Sequence, residues 1–506
     1  MALIYNATFD KNTRKLSFED KAGNEIYSFT VPERVPVDDI TKPLTFKATQ
    51  DGSSVSLTKY KSPVGDFQTS GDGGNTWEDY TIGTSIALNT GDEVSFRAKA
   101  DRTSAQNFLN HFQFNMTGKI EAWHNVMSLY RTNDFATYNT VMNFSFCNLF
   151  SECASLTKAP VLPATKLAGD CYYGVFSGCT SLTKAPVLPA TKLASNCYKY
   201  MLSGCTSLTE APALPATILA SNCYYGMFSG CTSLTKAPAL PATTIPNACY
   251  ISMFYGCTSL AEAPVLPATK LAPDCYNSMF RGCTSLAEAP ALPATTLASN
   301  CYYNMFSDCT SLTKAPVLPV TTLASNCYGS MFRGCTSLAE APALPATTLA
   351  SNCYGSMFYD CTSLTKAPVL PVTTLVDSCY QYMFYGCTSL TEAPVLPATK
   401  LDDNCYNSMF RGCTSLTKAP VLPATTLAAR CYSGMFYGCT SLNEVHCQMP
   451  STISAEDIPT YTAGNISGTT PWLYKVSSTG TFYTNADANW PSGASGIPEN
   501  WTRVNT

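Results

Sequence analysis

Histidine is nearly absent from this chain, with only His111, His124 and His446 among 506 residues. So little imidazole leaves no basis for a histidine-built catalytic or metal centre. Charge is also scarce: Asp, Glu, Lys and Arg make up 13%, about half the share of an average soluble domain. The net charge of -4 supplies no basic field for nucleic acid or an anionic membrane. No run of about eighteen apolar residues occurs, which excludes a transmembrane helix. Met1 to Asp10 carry neither the basic cluster nor the apolar run of a secretory signal. G-x-S-x-G, H-E-x-x-H and Walker patterns are missing too. Asp402 and Asp403 are adjacent in sequence, so they diverge and cannot flank a bond. These absences point away from an enzyme and call for no cofactor and no metal.

What the chain has instead is cysteine and proline, 25 and 33 residues. Both fall into a strict repeat. C-T-S-L begins at Cys179, Cys205, Cys231, Cys257, Cys283, Cys309, Cys335, Cys361, Cys387, Cys413 and Cys439, with a degenerate C-A-S-L at Cys153. Every interval is 26 residues, so eleven full units run from Cys153 to Gly438 and a partial twelfth reaches about His446. With this Cys as position 0, the unit reads C-T-S-L-T-K-A-P-V-L-P-A-T-K-L-A-S-N-C-Y-Y-G-M-F-S-G. Such a unit cannot bury its own apolar face and must stack on its neighbours. Leu234-Thr-Lys-Ala237 suits a short parallel strand stopped by Pro238. The prolines at positions 7 and 10 then enforce an extended arm, because neither has an N–H for a ladder. Cys223-Tyr-Tyr-Gly-Met-Phe-Ser-Gly230 suits a short helical turn, with Cys223 and Met227 at i and i+4 and Phe228 widening the inward face.

Position 5 tests the stacking. It reads Lys158, Lys184, Glu210, Lys236, Glu262, Glu288, Lys314, Glu340, Lys366, Glu392, Lys418, Glu444, and the signs alternate without exception from Glu288 onward. Side chains about 4.8 Å apart in a parallel stack favour opposite neighbours by a few tenths of a kcal/mol. Fixed Leu, Phe and Tyr positions argue against a disordered low-complexity tract. Twenty-three of the 25 Cys sit at positions 0 and 18, with Cys147 and Cys447 flanking. Buried free thiols, a disulfide ladder and a metal or nucleophile array are the readings open. Parallel Cβ vectors, the lack of C-x-x-C spacing and the lack of neighbouring His favour the first.

The core F-x-G-C-x-S-L, as in Phe254-Tyr-Gly-Cys-Thr-Ser-Leu260, resembles the BspA-like (Treponema-type) leucine-rich repeats of gut Bacteroidales bacteria and their phages. The likeness covers about residues 145–446. It departs from the family's shorter period of about 23 residues, in the double proline and in the C-Y pair at Cys301-Tyr302. The resemblance implies a leucine-rich-repeat solenoid, here with a 26-residue period of short parallel strands plus short helical turns, and a role in adhesion and binding. Eleven units at about 4.8 Å give a solenoid roughly 55 Å long.

The flanks read as further modules. Residues 1–43 form an N-terminal β-hairpin, Lys15–Phe18 and Ile26–Phe29 about the turn Lys21–Asn24, with Pro32 and Pro36 marking a linker. Residues 44–105 form a small β-sandwich, with strands at Leu44–Phe46, Val55–Leu57, Ile86–Leu88 and Val94–Phe96. Its segment from Gly71 to Trp77, followed by Gly91-Asp-Glu-Val94, is similar to small β-modules that precede such repeats. Residues 106–152 and 447–506 are expected to cap the solenoid, 153–446. His124 is read as a cap residue, and Pro491–Gly496 as a mobile loop.

Against so regular a background the variable positions stand out. Position 20 supplies Tyr173, Tyr225 and Tyr303; position 24 supplies Tyr255, Arg281, Arg333, Tyr359, Tyr385, Arg411 and Tyr437. On a short helix they lie one turn apart, opposite the inward Cys and Met, as an exposed stripe. Tyr and Arg are residues that contact surfaces favour, so the stripe is either a ligand-binding surface or an unconstrained face that has drifted. The strand face at position 5 is its rival. The chain thus reads as a non-enzymatic binding or structural protein. The resemblance, the Met1 start and reduced cysteines favour a phage virion protein, a tail appendage or decoration assembled in the host cytoplasm. It would contact a host cell-surface protein or glycan and dock on other virion proteins through residues 1–43. A bacterial cell-surface adhesin is the alternative. Neither reading needs nucleic acid or membrane insertion, and both are compatible with a homo-oligomer.

Overall fold

The structure is a computed structural model. It describes residues 6–10, 15–19, 25–30, 38–59, 67–102, 112–448, 472–485, 490, 492–493 and 496–506. The turn at Lys21–Asn24, Pro32, Pro36, His111, and Pro491, Ala494 and Ser495 of the expected loop lie outside them.

Three strands, β1 (Asn6–Asp10), β2 (Lys15–Glu19) and β3 (Glu25–Thr30), make an antiparallel sheet in that order. The hairpin of β2 and β3 pairs Leu16 with Phe29, and β1 adds an edge strand that the hairpin pattern does not announce. The next module has two sheets. One holds β5 (Ser53–Lys59) between β8 (Ile86–Leu88) and β10 (Phe112–Thr117). The other runs β11-β4-β9-β6-β7, built from Ile120–Trp123, Leu44–Ala48, Glu93–Ala98, Phe67–Ser70 and Glu78–Tyr80. Alternating apolar residues explain the packing: Leu44, Phe46, Val55, Leu57, Phe96 and Phe114 are all fully buried. On its other edge β11 pairs in parallel with β12 (Leu156–Lys158), the strand of the first repeat unit. The β-module therefore continues directly into the repeats through one sheet.

From there the units stack in register. Single-residue parallel bridges join position 5 of successive units, as at Lys184 and Glu210, Glu288 and Lys314, Lys366 and Glu392. A second column of bridges joins position 13, as at Lys192 and Ile218 or Lys400 and Thr426. Bridges stay one residue long because Pro at positions 7 and 10 breaks the ladder between the two columns.

The stretch from position 17 to 25 corrects the expected helical turn. The helical element among the described residues is one 3-10 turn, Val126–Leu129, and the repeats contain none. Instead alternate amides divide their work. Tyr224, Gly226, Phe228 and Gly230 donate to Cys249, Ile251, Met253 and Tyr255 of the next unit, while Tyr225, Met227 and Ser229 donate three residues back. With every second N–H spent between units, no i to i-4 ladder can form. The geometry needs positive φ at positions 17, 21 and 25, for example 57° at Asn222, 59° at Gly226 and 75° at Gly230. Asn, Asp, Ser and Gly fill these positions with few exceptions, and Asn, Asp and Gly are the residues that tolerate that region best.

Stacking turns each core position into a continuous column. Tyr172 through Tyr432 stack at position 19 with ring centres 5.7–6.1 Å apart. Phe228 through Phe436 do the same at position 23, with spacings of 5.6–5.9 Å. In the unit of Cys309, Leu312, Leu318, Cys327, Tyr328, Met331 and Phe332 are buried. Burying a Leu, Met or Phe side chain contributes about 1.5–3 kcal/mol, so stacking recovers what no unit can supply alone. Leu202 interrupts the Phe column between Phe176 and Phe228, and aromatic contacts extend it at both ends of the array. Phe114 of the β-module stacks on Phe150 at 5.3 Å, and Trp472 sits 6.2 Å from Phe436. Beyond the last unit, β13 (Glu444–Cys447), β14 (Gly480–Thr484) and β15 (Trp501–Asn505) form a parallel sheet, with Trp472 stacked on Trp490 at 5.6 Å.

Candidate binding surface

The turn stretch fixes where side chains point. Positions 22 and 23 face inward, as Met357 and Phe358 do at 0% exposure, and position 24 turns outward. Its backbone is held on both sides: Tyr359 donates to the Ser356 carbonyl, and its own carbonyl accepts from Gly334 of the preceding unit. Repeated at each unit, this arrangement aligns position 24 into a surface column.

Over six successive rungs that column is aromatic and cationic. The Arg333 guanidinium lies 4.6 Å from the Tyr359 ring centre, and Tyr359 stacks on Tyr385 at 4.3 Å and 4°. Arg411 then lies 5.6 Å from Tyr385 and 4.2 Å from Tyr437, which meets Tyr474 at 5.3 Å. Such contacts are worth about 0.5–1 kcal/mol each at an exposed site. Burial, and next the neighbouring Tyr385, push the Tyr359 phenol above its ordinary range, so it stays a neutral donor at physiological pH. Toward the N-terminus the column is interrupted at Ser307, which is buried. Before that break Arg281 sits 5.8 Å from the Tyr255 ring and pairs with Asp308 at 3.3 Å.

Position 20 does not share this column. Tyr173 and Tyr225 flank Tyr200, at 6.0 and 5.2 Å, with the Lys199 ammonium 4.5 Å from the Tyr225 ring. Tyr303 lies over Gly329 of the next unit, where a Cβ would come within 2.9 Å of its ring. The ten residues therefore divide into a column of Arg333, Tyr359, Tyr385, Arg411 and Tyr437, a pair of Tyr255 and Arg281, a separate cluster with Tyr173 and Tyr225, and Tyr303 apart. Pattern reading overlooked Tyr200 and Tyr474. Tyr200 was visible as a bulky residue at position 21, where other units carry Gly, Ser, Asn or one further Tyr.

The rival face carries exposed ladder charges, with Lys236–Glu262 and Lys418–Glu444 pairs at 3.1 Å. Exposed pairs of this kind contribute at most about 1 kcal/mol. His124 is occupied structurally: its Nδ1 accepts from the Asp39 amide at 3.1 Å. Asp403 caps the Ala429 amide at 2.9 Å. Among the described residues no three His, Cys, Asp or Glu side chains are placed to hold a metal ion.

The thiols have their own pattern. From Cys205 onward each position-0 Cys donates its S–H to the position-23 carbonyl two units back, as Cys309 does to Phe280 at 3.1 Å and Cys361 to Phe332 at 3.0 Å. At position 18, Cys223 and Cys249 bring their Sγ atoms to 3.2 Å, well beyond a bond of about 2.05 Å. Burial pushes the Cys275 and Cys301 thiols up to about 12, far from the thiolate form that nucleophiles and metal ligands need.

Comparison with known proteins places the chain. No curated protein matches it. Among solved structures it is similar to a chain in the crystal structure of a TLR13–ssRNA13 complex, at 16% identity and a TM-score of 0.23. That match covers 72% of this chain and 52% of the other, so the chain spans about half of that neighbour's length. The family model of the BspA type leucine rich repeat region matches residues 144–287, 222–338, 249–391 and 302–443. These matches overlap into one unbroken stretch covering more than half of the 506 residues, and the chain belongs to the BspA type leucine rich repeat family.

Proposed function

We propose that this chain is a non-enzymatic binding protein, a repeat solenoid that touches its ligand through the position-24 column. The six stacked rungs from Arg333 to Tyr474 carry the reading. Tyr and Arg dominate contact energies, and side chains already stacked lose less freedom on binding than free ones. Because the ring faces are engaged with one another, the column offers ring edges, phenol hydroxyls and guanidinium N–H groups. That chemistry suits a polar, carbonyl- or hydroxyl-rich partner, a host cell-surface protein or glycan. Leucine-rich repeat membership supports the binding role, and the net charge of -4 argues against a nucleic-acid partner.

In its finer form the proposal is a phage virion protein, a tail appendage or decoration, with residues 1–43 toward other virion components. The resemblance to repeats of gut bacteria and their phages supports it. So does a core of two columns of protonated thiols, which suits assembly in a reducing cytoplasm. Mass spectrometry of purified phage particles beside the bacterial surface fraction tests this. A fixed copy number in particles supports it; recovery from the bacterial surface alone overturns it in favour of an adhesin.

A further inference from the structure

The proline arm presents a surface that a pattern of buried and exposed residues does not foreshadow. Position 8 lies between the two prolines, and its valines point outward: Val317, Val369 and Val395 are 76–80% exposed, and Val187 and Val265 equally so. A stripe of bare valine and proline along a stack is the kind of contiguous apolar surface that soluble proteins keep covered. At Ala343 a groove of about 320 Å³ is lined by Ala341, Ala343, Pro345, Pro368, Val369 and Pro371.

Size and charge vary together along this face. From Cys283 to Gly386 the units alternate Glu288 with Ala291, Lys314 with Val317, Glu340 with Ala343, and Lys366 with Val369. Among the described residues no ion pair engages Glu288, Lys314, Glu340, Lys366 or Glu392, so these charges are available to a partner. A pattern alternating in both sign and size is complementary to itself when reversed.

We propose that this face docks a second copy of the chain, antiparallel, about a two-fold axis between the Glu340 and Lys366 rungs. That axis sets Glu340 on Lys366 and Lys314 on Glu392, and brings Glu288 beside Lys418, which also pairs with Glu444 of its own chain. The same operation sets Val369 into the groove at Ala343 and Val421 opposite the small side chain of Ala291, with Val317 meeting Val395 in between. Both copies use one patch, as a two-fold interface requires. Six rungs at about 4.8 Å and an arm of about ten extended residues give a footprint of roughly 900 Å² per partner, the size of a standard stable interface.

Light scattering on the full chain at tens of micromolar is expected to give twice 54.4 kDa. The Val317→Glu, Val369→Glu, Val395→Glu triple variant is expected to give the monomer mass with the melting temperature of the unaltered chain diluted until it is monomeric, since all three side chains are exposed in the single chain. Ala291→Cys chains mixed with Val421→Cys chains should form a disulfide-linked pair under mild oxidation, while neither alone does. A monomeric unaltered chain, a dimer that survives the triple variant, or a dimer without this cross-link each overturns the proposal.

Discussion

At position 17 of every full unit the backbone takes φ between 52° and 58°, a region that suits Asn, Asp and Gly and strains other side chains. Most units comply, but Ala248, Ser378 and Arg430 do not. Ala248→Asn and Arg430→Asn should each raise unfolding stability by about 0.5–1 kcal/mol in urea titration, and a loss would mean that this conformation is not strained. The thiols give a second test at this scale. Burial raises Cys275 and Cys301 to about 12 and Cys353 and Cys431 to about 11, against about 9 in an unfolded chain. Above pH 9 the unfolded chain therefore sheds thiol protons that the folded chain keeps. Stability is full below that pH and falls as pH rises toward 11–12, by up to about 1.4 kcal/mol per pH unit for each thiol. Melting temperatures should be level from pH 6 to 8 and drop steeply above 9; a level profile to pH 11 contradicts the buried columns. Under native labelling Cys147, the one partly exposed thiol, should react first.

Among the elements, the strand segments and the turn stretch differ in how readable they were. The 26-residue period, the inward Leu, Cys, Met and Phe columns and the four strands of the β-module follow directly from spacing and alternation. The turn stretch does not. Cys223 and Met227 at i and i+4 satisfy a helix and a run of four-residue turns equally, since both bring every fourth residue to one side. What separates them is the Asn222, Gly226, Gly230 series, residues of positive φ at that same spacing, which no helix accommodates. The places of Val317 and its counterparts were not legible either. Between two prolines nothing in the spacing says which of two apolar residues turns inward; Leu318 takes the inward place and the extended arm sends Val317 out. The C-terminal cap has a direct test: Trp472 closes the Phe column on Phe436. Trp472→Ala should cost about 3–5 kcal/mol and speed amide exchange first in the unit of Cys413; uniform exchange along the stack would show that Trp472 is not its closure.

Over the whole molecule, rigidity and the proposed contact surface come from the same repeat. The turn stretch, with a bridge at position 5, position 13 or both, ties successive units together, and the outward-facing position of the turn stretch carries the Arg and Tyr side chains. Part of that surface was legible: its variability between units picked out Arg333, Tyr359, Tyr385, Arg411 and Tyr437. Its division from Tyr173, Tyr225 and Tyr303 was not, because it depends on turns rather than on a helix face. The decisive measurement is the affinity of purified chain for bacterial cells that bind it, with Arg333, Tyr359, Tyr385 and Arg411 all changed to Ser. Losing four stacked contact residues should weaken binding at least about 100-fold, at roughly 1 kcal/mol or more each, with the chain still folded at the assay temperature by circular dichroism. Binding that survives the four substitutions intact would show that the column is not the contact surface.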